Sequence, residues 1–264
     1  MLETTSKKVK LDQVPKVMAP VFPDPSSYDP RFTSEIAYEH LRKLITMGFL
    51  PPGTEVKQQA LARKLGISRT PLREAFRRLQ AEGLLTAEVN QRMTVSALDV
   101  TEIDALYGAR IVLETFGMQL STGRLSKQNK AVAEKSLAAM WRASIKGNLQ
   151  VWTAAHLDFH MALVAPAGSY ACKSIFSLAS ECDRFLFVYH AIRPLAPQTR
   201  HREHEALLHA TLGNDPNLAA RLIARHLAIT AVDLIHDLDP DRVTTGVQAG
   251  LDQVGAGSAP LTFT

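Results

Sequence analysis

Cysteine is scarce: of 264 residues only Cys172 and Cys182 carry a thiol. A pair this sparse suggests neither a disulfide framework nor a metal–thiolate site, and it implies a reducing cytoplasm. Long apolar runs are missing as well. No stretch approaches the roughly 18–20 residues of a membrane span, and the opening MLETTSKKVKLDQVPK contains no apolar secretory core. Nucleophile-elbow, GxGxxG and Walker signatures are absent, which removes the commonest sequence grounds for an enzyme. Strong net charge is lacking too, at +4 overall. What remains is a chain that is 46% hydrophobic, enough to bury a substantial core in one or two domains.

The small net charge is unevenly spread. Residues 31–97 carry 11 Lys and Arg against 6 Asp and Glu, whereas residues 98–264 carry 15 against 16 and residues 1–30 carry 4 against 4. A basic module joined to a near-neutral partner is the electrostatic footprint of a nucleic-acid binder.

Proline and glycine divide the chain. Five prolines fall in residues 1–30, so this stretch reads as a flexible N-terminal arm. Residues 31–97 read as three helices, over 33–47, 56–65 and from Ser68 to about Glu82, followed by two short strands around a polar turn at Asn90–Arg92. Between 98 and 239 the prolines at 166, 194, 197 and 216 each sit at a helix boundary. They leave helices near 99–123, 126–146, 148–165, 169–193, 199–213 and 216–238. The small, polar, Gly-rich residues 240–264 read as a flexible tail. The expected fold class is mainly α: an N-terminal winged helix-turn-helix (three helices plus a small β wing), then an antiparallel all-helical bundle of six or seven helices.

The third helix is rich in arginine. With Ser68 as its cap, Arg69, Thr70 and Arg73 occupy the first turn and a half, while Leu72, Phe76 and Leu79 face inward. In a helix-turn-helix these N-terminal positions reach base edges in the major groove, where the arginine fork meets guanine O6 and N7. Arg77 and Arg78 are placed to meet phosphates or to pair with Glu74 and Glu82, and a solvated basic face would look the same in isolation.

The run ITMGFLPPGTEVKQQALARKLGISRTPLREAFRRLQAEGLL closely resembles the winged helix of GntR-family bacterial transcription regulators. The likeness rests on Ile45, Gly48, Leu50, Pro52, Gly53, Leu61-Ala62, Leu65-Gly66, Ser68-Arg69-Thr70-Pro71, Arg73-Glu74-Ala75, Leu79 and Glu82-Gly83. The resemblance implies that Arg69 and Arg73 read bases or phosphates, with Ser68 and Thr70 on the DNA backbone. Two positions depart from the pattern. Gln59 stands where some members carry an arginine, and Arg92 stands where the wing usually has glycine, able to reach the minor groove or a phosphate.

In the helical half, His156 and His160 lie at i and i+4 in AAHLDFHMAL, a spacing at which two imidazoles can chelate one ion. His204 in HREHEALL and His226 in IARHLAI sit at inward positions of two later helices. A lone histidine on such a face is more often a satisfied core residue; four on three helices favour a site. The bundle resembles the FCD subgroup, named for the fatty-acid regulator's C-terminal domain. Many of its members bind a divalent metal through an Asp-x3-His pair and two later histidines. Here His156 stands where aspartate is usual, and Asp158 projects roughly 200° away on the helix. The expected site is therefore His156, His160, His204 and His226, a four-nitrogen set suited to Zn²⁺, Ni²⁺ or another transition metal. Arg110, with Glu114 four residues on, reads from spacing alone as a surface ion pair; the subgroup resemblance turns it inward, to bind the carboxylate of a small organic acid.

The expectation is a cytoplasmic, homodimeric transcription regulator acting as a repressor. It binds a double-stranded operator through the winged helix, and a metal and an organic acid through the bundle, with no membrane partner and no catalysis. Two alternatives carry different tests. A metal-dependent hydrolase of a small carboxylate compound would show turnover that chelation abolishes. HEALLH at 204–209 does not supply its site, since its second histidine is one residue too far for HExxH. A purely structural metal would affect melting but not effector response.

Overall fold

The computed structural model describes residues 33–46, 49–50, 52–87, 92–97, 99–192 and 197–257. The chain forms two compact units that divide between Leu98 and Asp99. The arm expected over residues 1–30 lies outside the described residues, as do 258–264.

The first unit runs α1 (Thr33–Thr46), α2 (Gln58–Leu65), α3 (Arg69–Ala81), β1 (Leu85–Ala87) and β2 (Met93–Val95). Gly66 ends α2 in the left-handed region at φ 63°, with its backbone N–H turned onto the Ala62 and Arg63 carbonyls. That is the tight corner a helix-turn-helix needs, and glycine adopts it without strain. Leu72, Ala75, Phe76 and Leu79 of α3 are buried against Leu41, Leu44 and Ile45 of α1 and Leu85 and Val95 of the strands. The strands pair antiparallel, Leu85 opposite Val95 and Ala87 opposite Met93. Residues 53–56 extend the same ladder through Gly53 N–H to Val95 O (2.8 Å) and Val56 N–H to Met93 O (2.7 Å).

The second unit is helical: α4 (Val100–Ser121), α5 (Lys127–Ile145), α6 (Leu149–Val164), α7 (Ser169–Ile192), α8 (Pro197–Leu212), α9 (Pro216–Leu238) and α10 (Thr245–Gln253), with one 3₁₀ turn at Ala165–Ala167. The helix starts follow local chemistry. Asp99, Ser126, Asn148 and Asp215 each accept a backbone N–H from the first turn that follows, and Pro216 occupies the first position of α9, where its missing donor costs nothing. Helix α4 is central, packing against α6, α7, α9 and α10, while α5 pairs with α6 and α8. No helix among the described residues is long and apolar enough to cross a membrane.

The expectation of a flexible tail from residue 240 is corrected here, because Thr245–Gln253 is a helix docked on α4. Its glycines, which weaken helix propensity, are what let it dock. A Cβ on Gly108 would stand 2.2 Å from the Gly246 carbonyl oxygen, and one on Gly250 would stand 2.6 Å from the Gly108 oxygen. The two backbones meet where no side chain fits, and Val247 and Leu251 are buried beside them.

Candidate metal centre and nucleic-acid interface

In the first unit, Arg69, Arg73 and Arg77 are exposed and spaced by four, so one solvent face of α3 carries all three. Thr70 is exposed beside them, and Gln59 is exposed on α2. Ser68 occupies the N-cap position with extended backbone, yet its side chain makes no capping hydrogen bond, leaving the hydroxyl available. Arg92 is exposed just before β2, while residues 88–91 of the expected wing turn lie outside the described residues. Arg78 leaves this face. It pairs with Glu35 of α1, and its guanidinium lies 3.7 Å from the centre of the Tyr38 ring. Glu82, one of the two glutamates expected to pair with Arg77 and Arg78 if phosphates did not, accepts the Tyr38 hydroxyl at 2.5 Å and pairs with Arg42 at 3.6 Å. Arg78 is a clamp between α1 and α3, formed by a contact 43 residues apart in sequence.

In the second unit, α6, α8 and α9 bring His156, His160, His204 and His226 together. One ring nitrogen from each lies within 4.8 Å of the others, and all four residues are buried. Asp158 is exposed, as its position on α6 demands. His160 Nδ1 lies 3.0 Å from Glu114 Oε2, His226 Nδ1 lies 3.0 Å from Glu203 Oε2, and His204 Nδ1 lies 2.6 Å from the Arg200 carbonyl oxygen. Carboxylates and carbonyls only accept, so each of these Nδ1 atoms carries a proton, and in the neutral ring it is Nε2 that holds the lone pair. His156 differs. Its Nε2 lies 3.2 Å from His160 Nε2, its Nδ1 is buried without a partner, and its ring stacks on Trp152 at 4.7 Å between centroids.

This arrangement suits a metal ion. His204 Nε2 is buried with no hydrogen-bond partner, and lone pairs turned toward one another cannot satisfy each other without a cation or a shared proton. Burial pushes His156 and His204 well below the ordinary histidine range, reinforced by the neighbouring imidazoles, and takes His160 down to about 4 despite Glu114. Neutral imidazole is the ligating form. Cys182 is also buried in this unit, but burial pushes its thiol up to about 12, so it stays protonated. Four imidazole nitrogens are the donors of a borderline ion such as Zn²⁺ or Ni²⁺ rather than of Mg²⁺ or Ca²⁺.

Arg110 is not on the surface. It is 2% exposed and its Nε donates to Glu114 Oε1. The carboxylate of Glu114 thus spans Arg110 and His160; burial alone would raise it, but the Arg110 charge and the hydrogen bonds from both partners hold it at about 2. Sequence reasoning saw Glu114 only as the partner of Arg110 and missed Glu203, Arg200 and Trp152. Glu203 directly precedes His204, yet it serves a histidine 23 residues later, a pairing no local pattern shows.

Residues 33–95 match the profile for bacterial regulatory proteins of the gntR family, and residues 105–229 match the FCD domain. The Nta operon transcriptional regulator of Aminobacter aminovorans is 32% identical over 162 residues, covering 61% of this chain and 73% of that protein. The chain belongs to the GntR family. The HTH-type transcriptional repressor GlaR of Escherichia coli (strain K12) is similar to this GntR-family chain over 212 residues at 26% identity, covering 77% of it and 96% of the relative. The solved structure of E. coli McbR/YncC shares the fold, with a TM-score of 0.70 over 78% of this chain and 99% of that one, at 23% identity. This member of the GntR family is a DNA-binding transcription regulator with an FCD domain, and not an enzyme.

Proposed function

We propose that the chain is a homodimeric repressor whose winged helix grips a palindromic operator and whose bundle holds a divalent metal and a small organic acid. Arg69 and Arg73 read the major groove, with Ser68, Thr70, Gln59 and Arg77 on phosphates or sugar and Arg92 on a phosphate or the minor groove. The exposed arginine face of α3 supports this reading, and the description of GlaR as a repressor supports its sign. Two-fold symmetry follows from the symmetry of such operators.

The observation that carries the metal assignment is the convergence of four buried imidazole nitrogens, three of them with the opposite nitrogen tied. His156, His160, His204 and His226 would hold a Zn²⁺ or Ni²⁺ ion. When bound, that ion supplies a positive centre in the bundle that attracts a carboxylate. Arg110 lies on the far side of Glu114 from His160, its Nε on that carboxylate, and its guanidinium charge gives the acid a second cationic partner. An acid alters operator affinity only as far as it binds the two states of the protein unequally.

The test is operator binding by gel shift with metal-loaded and metal-stripped protein, across a panel of small mono- and dicarboxylates. The expected result is an acid that changes operator affinity only in the loaded form. Equal and negligible metal content in the native protein and His204→Ala defeats the metal assignment. Four protein donors also suit a purely structural ion. In that case stripping lowers the melting temperature and leaves the response to every acid unchanged.

A further inference from the structure

We infer that Glu203 and Glu114 are positioning residues of the metal centre. Each locks one ligand imidazole into the Nδ1–H tautomer and supplies the negative charge that a direct carboxylate ligand would otherwise bring. The inference rests on the metal reading above.

A single turn of α8 organises two of the four ligands. The Arg200 carbonyl oxygen takes the His204 Nδ1 proton at 2.6 Å, and Glu203 reaches across to His226 Nδ1 on α9 at 3.0 Å. Glu203 is itself held, since Arg200 Nη1 lies 3.4 Å from the same Oε2 that meets His226. Arg200 is anchored to α9 through Thr230 Oγ1 at 3.0 Å and Asp233 at 3.6 Å. The registers of α8 and α9 are therefore tied at the level of the site. Glu114 does the same from α4, one oxygen on Arg110 and the other on His160. None of the four grouped ligands is a carboxylate, but two carboxylates stand one bond behind them, each 5% exposed or less. Such partners fix ring orientation and raise ligand basicity, and their loss usually costs about 10–100-fold in metal affinity.

Glu114→Ala strands the buried Arg110 cation and threatens folding. Glu203 is the informative position, because Arg200 keeps Thr230 and Asp233 without it. Full-length protein, stripped of metal and checked by circular dichroism, is titrated with Zn²⁺ against a chromophoric chelator. Its histidine ring nitrogens are read by NMR in the metal-free state. Glu203→Ala is expected to weaken Zn²⁺ binding about 10–100-fold and to mix the tautomers of His226. Glu203→Gln, which keeps an accepting oxygen but not the charge, is expected to fall between Glu203→Ala and the native protein and to retain the tautomer. Folded Glu203 variants that bind Zn²⁺ as the native protein does, with His226 unchanged, overturn the inference alone. Native protein that takes up no Zn²⁺ overturns the metal reading and the inference together.

Discussion

Asp104 on α4 accepts the backbone N–H of Gly246 at 2.8 Å, and its other oxygen accepts that of Val247 at 2.9 Å. Asp104 is 2% exposed, and the two bonds, that to Val247 buried and that to Gly246 partly so, cap α10 from a residue 142 positions away. Asp104→Ala leaves the amides without partners, a loss of about 1–3 kcal/mol. Gly108→Ala is the harsher change, since its new methyl would meet the Gly246 carbonyl at 2.2 Å. Both substitutions are expected to release α10 before the rest of the bundle, read as faster hydrogen exchange across residues 245–253, with metal uptake retained. Native exchange rates there would show that the cap does not hold the helix.

Helix α10 marks one limit of what the sequence shows. TGVQAGLDQ carries two glycines and little apolar character, so local propensity points to a tail. Its stability comes from Val247 and Leu251 buried on α4 and from a glycine-to-glycine approach visible only once both helices are placed. The other helices of the bundle were legible from the prolines at their boundaries, above all the Asp215-Pro216 pair, while the caps at Asp99, Ser126 and Asn148 emerge only in the structure. His156 and His160 were legible from their i, i+4 spacing. The Glu203–His226 and Arg78–Glu35 pairs were not, because a charged residue does not announce a partner on another helix.

The arginines of α3 separate by what they already hold. Arg78 is engaged by Glu35 and Tyr38, whereas Arg69 and Arg73 face solvent. Arg69→Ala is expected to abolish sequence-specific operator binding. Arg92→Ala should weaken binding evenly across sequences and reduce the salt slope by about one. Arg78→Ala should lower the melting temperature and leave operator affinity near the native value. Gel-shift titrations at several salt concentrations distinguish these outcomes; native affinity in Arg69→Ala would remove α3 from the interface.

Acidification is expected to destabilise the metal-free protein within a defined window. Burial holds His156 and His204 well below the ordinary histidine value and His160 at about 4, while in the unfolded chain each titrates near ~6.5. Below that value the unfolded chain binds protons that the folded one refuses. Stability is therefore complete above pH ~6.5 and declines as pH falls toward 4. The shift of His160 alone, from 6.5 to about 4, corresponds to about 3 kcal/mol. Glu114 acts outside this window, because its contribution is lost only as pH falls from the ordinary carboxylate range through about 2. Urea unfolding of stripped protein between pH 8 and pH 5 reads the effect, and a flat profile would show that the imidazoles are not buried as a group.

His156 is the ligand position with the least support, and it decides metal choice. Its Nδ1 is buried without a partner and its Nε2 faces His160 Nε2 at 3.2 Å, so in the metal-free protein Nε2 is the better place for its proton. Binding an ion through that nitrogen strands the proton on Nδ1, a cost the other three ligands do not meet. An aspartate has no such proton and adds a negative charge beside the cation. His156→Asp is therefore expected to shift preference toward harder ions, narrowing the gap between Mn²⁺ and Zn²⁺ affinities. It also removes the ring stacked 4.7 Å from Trp152, so the change in indole fluorescence on metal addition should differ from that of the native protein. Competition titrations with both ions supply the measurement. An unchanged Mn²⁺ to Zn²⁺ ratio in a folded variant would mean that the nitrogen of His156 does not contact the ion, and that three histidines hold it alone.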